Sequence, residues 1–157
     1  MSFYCYDNHR GAAQLEDMRQ LDRNGICLFC PDGFRYHRRN RLLWRTEYWS
    51  IARNEFPYSG TEQHILISPI AHAEDLLDLD DTVLADFWAA LRSVRECFSL
   101  KHYGLGARNG DCRFTGATIK HVHCHVLVAP ESPDVGTEPI RMRFSSHPAG
   151  LRRPEHR

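Results

Sequence analysis

A chain of 157 residues that is 42% hydrophobic and 25% charged has the make-up of one globular domain, able to bury about two thirds of its unfolded surface. Twenty basic residues balance twenty acidic ones, so no net charge draws the chain to nucleic acid or to an anionic membrane. No apolar run approaches the length of a membrane span.

The first ten residues are polar and aromatic without a period and read as an irregular arm. They lack the basic-then-apolar pattern of a secretory leader. The six cysteines are therefore expected to be reduced thiols in the cytoplasm, suited to metal ligation rather than to a disulfide set. From Gly11 to Asp22, the residues Ala12, Leu15, Met18 and Leu21 fall at near-helical spacing, and Gly25 ends that helix. Cys27 and Cys30 follow, two thiols three residues apart on a tight turn. Such a pair can grip one metal ion, and a buried free pair or a redox pair are the other readings. His37 is a nearby candidate ligand. Phe34 to Arg41 reads as a basic, aromatic loop.

Leu42 to Trp44 and Tyr48 to Ala52 read as the two strands of a hairpin turning near Thr46 and Glu47. Asn54 to Gly60 is a turn-rich loop. His64 to Ser68 is a further strand, stopped by Pro69. Asp80 or Asp81 caps a helix that runs to about Phe98. Its stripe of Val83, Leu84, Phe87, Trp88, Leu91, Val94 and Phe98 is expected in the core. His102 to Arg108 reads as a strand in which Gly104 and Gly106 alternate, inviting close approach by another backbone or a ligand. Asn109 to Lys120 is a polar loop whose amides and Thr118 hydroxyl suit a phosphate. Arg108, Arg113 and Lys120 add positive charge there.

In His121-Val122-His123-Cys124-His125-Val126-Leu127 three histidines alternate with apolar residues. That period of two is a strand with its imidazoles on one face and Val122, Cys124 and Val126 on the other. The histidines suit either a metal cluster or a nucleophilic imidazole held by its neighbours. Together with the preceding Gly116-Ala117-Thr118-Ile119-Lys120, this stretch resembles the histidine triad, or HIT, family of nucleotidyl hydrolases and transferases. The likeness extends back to about Cys27.

The resemblance implies an α+β fold, an antiparallel sheet of about five strands with one long helix packed on it, and a homodimer. By analogy with zinc-bearing members, a structural zinc ion would be held by Cys27, Cys30, His72 and His121. His123 would be the nucleophile at the α-phosphate of a nucleotide, and His125 would serve the phosphate or leaving group. Asn54, His64, Asn109 and Thr118 are the candidate substrate contacts. Ala117 stands where the family commonly has Gln, which removes a donor. Two rival readings are a hydrolase with His121, His123 and His125 sharing a catalytic metal, and a nucleotide-binding protein with little turnover. The expected organisation is a HIT-like domain over 1–135 and a basic, flexible tail over 136–157. The other reading of that tail folds it over the site to contact phosphates. No nucleic-acid or membrane partner is expected.

Overall fold

The structure is a computed structural model that describes residues 2–36, 41–131 and 138–146. His37 and the tail past 146 lie outside the described residues. The hairpin is present as β1 (Leu42–Arg45) and β2 (Trp49–Arg53). Its turn is held by Asp86, whose Oδ2 accepts from the Thr46 hydroxyl at 2.7 Å and the Tyr48 amide at 3.1 Å. With β3 (Gln63–Pro69), β4 (Gly104–Ala107) and β5 (Cys124–Val128) the strands form one antiparallel sheet in the order β1-β2-β3-β5-β4. The fold is α+β, as expected.

Alternation along β3 and β5 gives the sheet two different faces. Ile65, Ile67, Val122, Cys124 and Val126 join Trp49 and Ile51 in a core covered by Ala90, Leu91 and Val94 of the long helix. The other face carries Leu66 and the histidines. It packs under a smaller cluster of Tyr4, Met18, Leu21, Cys27, Phe29 and Ile119. The triad is only partly in the ladder: β5 begins at Cys124, while His121 to His123 precede it, with the Val122 amide donating to the Ala73 carbonyl at 2.7 Å.

The first helix, α1 (Ala12–Arg23), ends before Gly25, which takes φ +64°. Its buried face is Gln14, Met18 and Leu21 rather than the expected stripe, and Ala12 is exposed. The loop expected from Phe34 to Arg41 is corrected at its start, where Phe34 to Tyr36 belong to a short helix, α2 (Pro31–Tyr36). Proline at the first helical position presets the backbone dihedral that the turn needs. Gly33 lies against the Cys27 carbonyl, where a Cβ has no room. The long helix, α3 (Asp81–Cys97), has Asp80 at its N-cap, although the Asp80 side chain makes no capping bond. Trp88 departs from the expected core stripe and is 62% exposed. The loop before the triad contains one helical turn, α4 (Cys112–Thr115). It is capped by Asp111 accepting from the Arg113 amide at 2.9 Å and ended by Gly116 at φ +75°.

The N-terminal arm is tied to the loop that feeds the triad. Tyr4 bridges Ile119, the Cys5 amide donates to the Thr118 carbonyl, and the Lys120 amide donates to the Phe3 carbonyl. Cys5 and Cys112 form a disulfide across this contact, so the expectation of six reduced thiols is corrected; Cys27, Cys30, Cys97 and Cys124 are free. The pairing joins residues 107 apart in sequence, a proximity created only by packing of the arm. Residues 138–146 cross the histidine side of the molecule over three glycines. A Cβ at Gly106 would meet Met142 Sδ at 2.7 Å, one at Gly116 would meet the Ser145 carbonyl at 2.6 Å, and Gly60 lies against the Glu138 carbonyl. No described helix is long and apolar enough to cross a membrane.

Candidate active site and metal centre

Carbonyl partners decide which ring nitrogen holds the proton in two of the triad histidines, His121 and His123. His121 Nε2 lies 3.0 Å from the Pro69 carbonyl. A carbonyl only accepts, so Nε2 carries the proton and Nδ1 is bare. His123 Nδ1 lies 2.8 Å from the His121 carbonyl, so Nδ1 donates and the bare nitrogen is Nε2. His125 sits in a chain of polar contacts. The Tyr58 amide donates to His64 Nδ1 at 3.1 Å, and His64 Nε2 lies 2.8 Å from His125 Nδ1. Arg108 Nη1, which only donates, lies 3.1 Å from His125 Nε2 at the other end of this chain, so donors press on the His64–His125 pair from both sides and the contacts allow either tautomer of His125.

All of these rings are buried, and burial disfavours the imidazolium. It is the largest cause holding His123 down to about 4 and His64 down to about 3, with Arg108 and Arg10 adding to it. His125 is held well below its ordinary value by burial, then by His123, His64 and the two arginines. All three are neutral at pH 7.

The bare nitrogen of His121 faces two thiols. Cys27 Sγ lies 3.3 Å and Cys30 Sγ 3.7 Å from His121 Nδ1, and His72 Nδ1 lies 3.6 Å from Cys30 Sγ. All four ligand atoms fall within 4.8 Å of one another. Sulfur and nitrogen ligands of one tetrahedral zinc ion sit about 3.5 Å apart, close to the three separations here, so the donor set could hold a metal ion. The Pro69 carbonyl fixes the ligand ring from behind, as an outer-shell partner does. Burial pushes the Cys27 thiol up to about 12, and the neighbouring Cys30 adds to that. A bound cation reverses that penalty by taking the thiolate.

A cavity of about 350 Å³ opens on the histidine face, the size of a small-molecule site. One wall is apolar, with Met18, Leu21, Leu28, Phe29, Leu66 and Ile119. The other carries Arg10, Arg108, Arg141 and Arg143 with Asp17 and Glu55. His123 sits between them, its ring 4.6 Å from that of Phe29 and 4.8 Å from that of His125.

The family profile of the HIT domain matches residues 37–131, more than half of the chain. The chain belongs to the HIT domain family. Over 90 residues it is 30% identical to the nitrilase and fragile histidine triad fusion protein NitFhit of Caenorhabditis elegans; the match covers 55% of this chain and spans only 20% of that protein. Among solved structures, it is similar to a HIT family hydrolase from Clostridium thermocellum (TM-score 0.55, 23% identity, 69% of this chain and 96% of that one). It is also similar to a histidine triad nucleotide-binding protein from Candida albicans (TM-score 0.55, 21% identity, 71% of this chain and 86% of that one). A hypothetical protein from Leishmania major gives a TM-score of 0.57 at 19% identity, over 75% of this chain and 85% of that one. These structural likenesses establish the HIT fold.

Within this HIT domain the expected site residues are brought together unevenly. His123, His125, Thr118 and Asn54 line the cavity. His64 is buried behind His125, with Asn54 Nδ2 at 3.1 Å from its Nε2. Asn109 is not part of the cavity wall: its Oδ1 accepts from the Leu76 amide at 3.0 Å. Arg113 is drawn away into an exposed pair with Asp111. Ala117 is buried beneath Asn8, whose amide donates to the Ala117 carbonyl at 2.8 Å. Sequence reasoning missed Arg10, Tyr58 and Phe29, and valued Arg108 only as nearby charge. Arg10 Cζ stacks 4.6 Å from the Tyr58 ring centre. Arg108 donates through Nε to the Arg143 carbonyl at 2.7 Å and through Nη2 to the Tyr58 hydroxyl at 2.9 Å. The Tyr58 ring stacks on His125 at 5.4 Å.

Proposed function

We propose that this HIT domain is a nucleotidyl hydrolase or transferase that works at the α-phosphate of a nucleoside phosphate anhydride, ester or phosphoramidate through a nucleotidyl-histidine at His123. One observation carries the reading: the middle histidine, with its Nδ1 proton held by the His121 carbonyl, offers a bare Nε2 to the cavity beside the His125 ring. That geometry gives a nucleophile next to a second imidazole that can hydrogen-bond the phosphate or leaving group. The His123 Nε2 lone pair forms the bond to phosphorus. The bond from phosphorus to the leaving group breaks and its electron pair stays on the leaving atom, which takes any proton it needs from solvent while the neutral His125 ring hydrogen-bonds the phosphate or leaving group. In the second step a water oxygen forms its bond to phosphorus, the N–P bond returns its pair to His123, and the water proton passes to solvent. Another acceptor in place of water makes the reaction a transfer. The apolar wall suits the base, while Thr118 and Asn54 are the substrate contacts.

Cys27, Cys30, His72 and His121 would hold zinc as a closed structural site that pins the start of the triad. A catalytic metal shared by all three triad histidines is the weaker reading, because the Nδ1 atoms of His123 and His125 are committed to the His121 carbonyl and to His64. We read the assembly as a homodimer, which the exposed Trp88 and the 46% exposed Leu105 of edge strand β4 support. The expected cytoplasmic location is one in which bridges such as Cys5–Cys112 are rare, so the redox state of that pair bears on it.

The test is a rapid acid quench with a nucleotide substrate and mass mapping of the modified peptide. A nucleotidyl mass on His123 is expected. His123→Ala should lose about 1000-fold or more in turnover and His125→Ala about 100-fold, with metal content retained in both. A nucleotidyl group on another residue, or an active His123→Ala protein, overturns the mechanism.

A further inference from the structure

The cavity wall opposite the apolar end holds more positive charge than the triad chemistry uses. Four arginines there face two carboxylates. Arg10 is the most exacting of them. Its Nε and Nη1 are buried and make no hydrogen bond among the described residues, while its guanidinium lies flat on Tyr58. Arg108 is held at two of its three nitrogens, by the Arg143 carbonyl and the Tyr58 hydroxyl, so its direction is fixed. The third nitrogen, Nη1, lies 3.1 Å from His125 Nε2. A guanidinium only donates, so Arg108 spends that nitrogen on the ring, whereas the buried Arg10 Nε and Nη1 find no acceptor among the described residues. An acceptor brought into the cavity beside His125 would satisfy them.

These guanidiniums also work against one another. Arg10 is pushed down from its ordinary value first by burial, with Arg108 and Arg143 adding to it. A buried like-charge group of this kind is relieved by an anion, and guanidiniums bind phosphate oxygens with strong, charge-assisted bonds.

We infer that Arg10, Arg108 and Arg143 form an anion subsite beside His125 that takes a multiply charged phosphate chain, the part of the substrate that leaves. This rests on the nucleotidyl-transfer reading for its function, though not for its chemistry. Arg10 comes from the N-terminal arm, Arg108 from the end of β4 and Arg143 from the segment that crosses the site, so three separate parts of the chain supply it. The subsite selects phosphate anhydrides with at least two phosphates beyond the α-phosphate. It gives no such advantage to a phosphoramidate, whose leaving amine carries no negative charge. The phosphate chain leaves with its bridging-oxygen electron pair, and the arginines neutralise the charge that develops there.

The experiment uses the full chain with inorganic tripolyphosphate in titration calorimetry. It also compares kcat/KM for adenosine 5′-triphosphate with that for adenosine 5′-phosphoramidate. Arg10→Gln should weaken tripolyphosphate binding by about 10- to 100-fold. The triphosphate-to-phosphoramidate preference should fall by a similar factor, and Arg10→Lys should restore part of both. Circular dichroism and metal content report whether each variant is folded. Absence of tripolyphosphate binding to the unsubstituted protein, or a folded Arg10→Gln protein with unchanged affinity and preference, overturns the subsite. Arg10-dependent tripolyphosphate binding without turnover of either substrate leaves the subsite standing and removes the nucleotidyl-transfer reading instead.

Discussion

The imidazoles of this site are held neutral by burial, and that has a cost when the solvent turns acid. His64 is the clearest case. It faces Arg10, Arg108, His123, His125 and Tyr58, and its Nε2 lies 2.8 Å from His125 Nδ1. In the unfolded chain it protonates near 6.5, and in the fold near 3. Between those values the unfolded state binds more protons, so the stability His64 contributes is complete above pH 6.5 and is lost as pH falls toward 3. The slope from one such group is at most about 1.4 kcal/mol per pH unit. His64→Gln should therefore give a shallower loss of stability over this window, read by urea unfolding at a series of pH values. Parallel acid limbs in the two proteins would show that the His64 ring is not strained by its surroundings in this way.

At the level of elements, the candidate metal group joins two parts of the chain that share no backbone hydrogen-bond ladder among the described residues. Cys27 and Cys30 lie between α1 and α2, while His72 and His121 follow β3 and precede β5. Metal binding there is folding energy, on the order of 10 kcal/mol in small zinc peptides. One zinc ion per chain is expected by elemental analysis. Cys27→Ala and prolonged chelation should each lower the melting temperature far more than an exposed change such as Glu16→Ala does. Protein purified without chelators that carries no zinc, or a Cys27→Ala protein that melts where the parent does, would falsify the structural role. Much of this level is legible in the sequence, because long elements announce their period: α3, the β1–β2 hairpin and β3 all stand where apolar spacing puts them. Short elements do not. The single turn of α4 and the six residues of α2 are fixed by local caps and by Gly33 against Cys27, too brief for periodicity to register. The exposure of Trp88 escapes for a different reason: spacing marks a face of α3 but not how far its cover extends. The grouping of Cys27, Cys30, His72 and His121 and the triad are legible through their spacing and the family motif. Arg10 is not, because its place at the site follows from where the arm packs.

Taken as one molecule, the site is bordered by the N-terminal arm and by the segment 138–146. The arm brings Tyr4, Asn8 and Arg10 to the cavity, the segment 138–146 brings Arg141 and Arg143, and neither belongs to the sheet. The arm is held by backbone bonds to Thr118 and Lys120, by Asn8 to the Cys112 and Ala117 carbonyls, and by the Cys5–Cys112 bridge. That bridge closes a loop spanning 107 residues of sequence, and a closure of that length restricts the unfolded chain by about 4 to 5 kcal/mol in the chain-entropy treatment. Paired replacement of Cys5 and Cys112 by serine should therefore lower the melting temperature by several degrees at least, since each kcal/mol moves a domain of this size by about 2–4 °C. It should also loosen the arm, and with it the position of Arg10, so tripolyphosphate affinity should fall while zinc content, set by the four side chains of the Cys27 group, stays at one per chain. Reductant should reproduce both losses in the parent protein and neither in the serine pair. A parent whose intact mass shows the bridge formed, yet whose melting temperature and tripolyphosphate affinity ignore reductant, would mean that the hydrogen bonds alone hold the arm over the site.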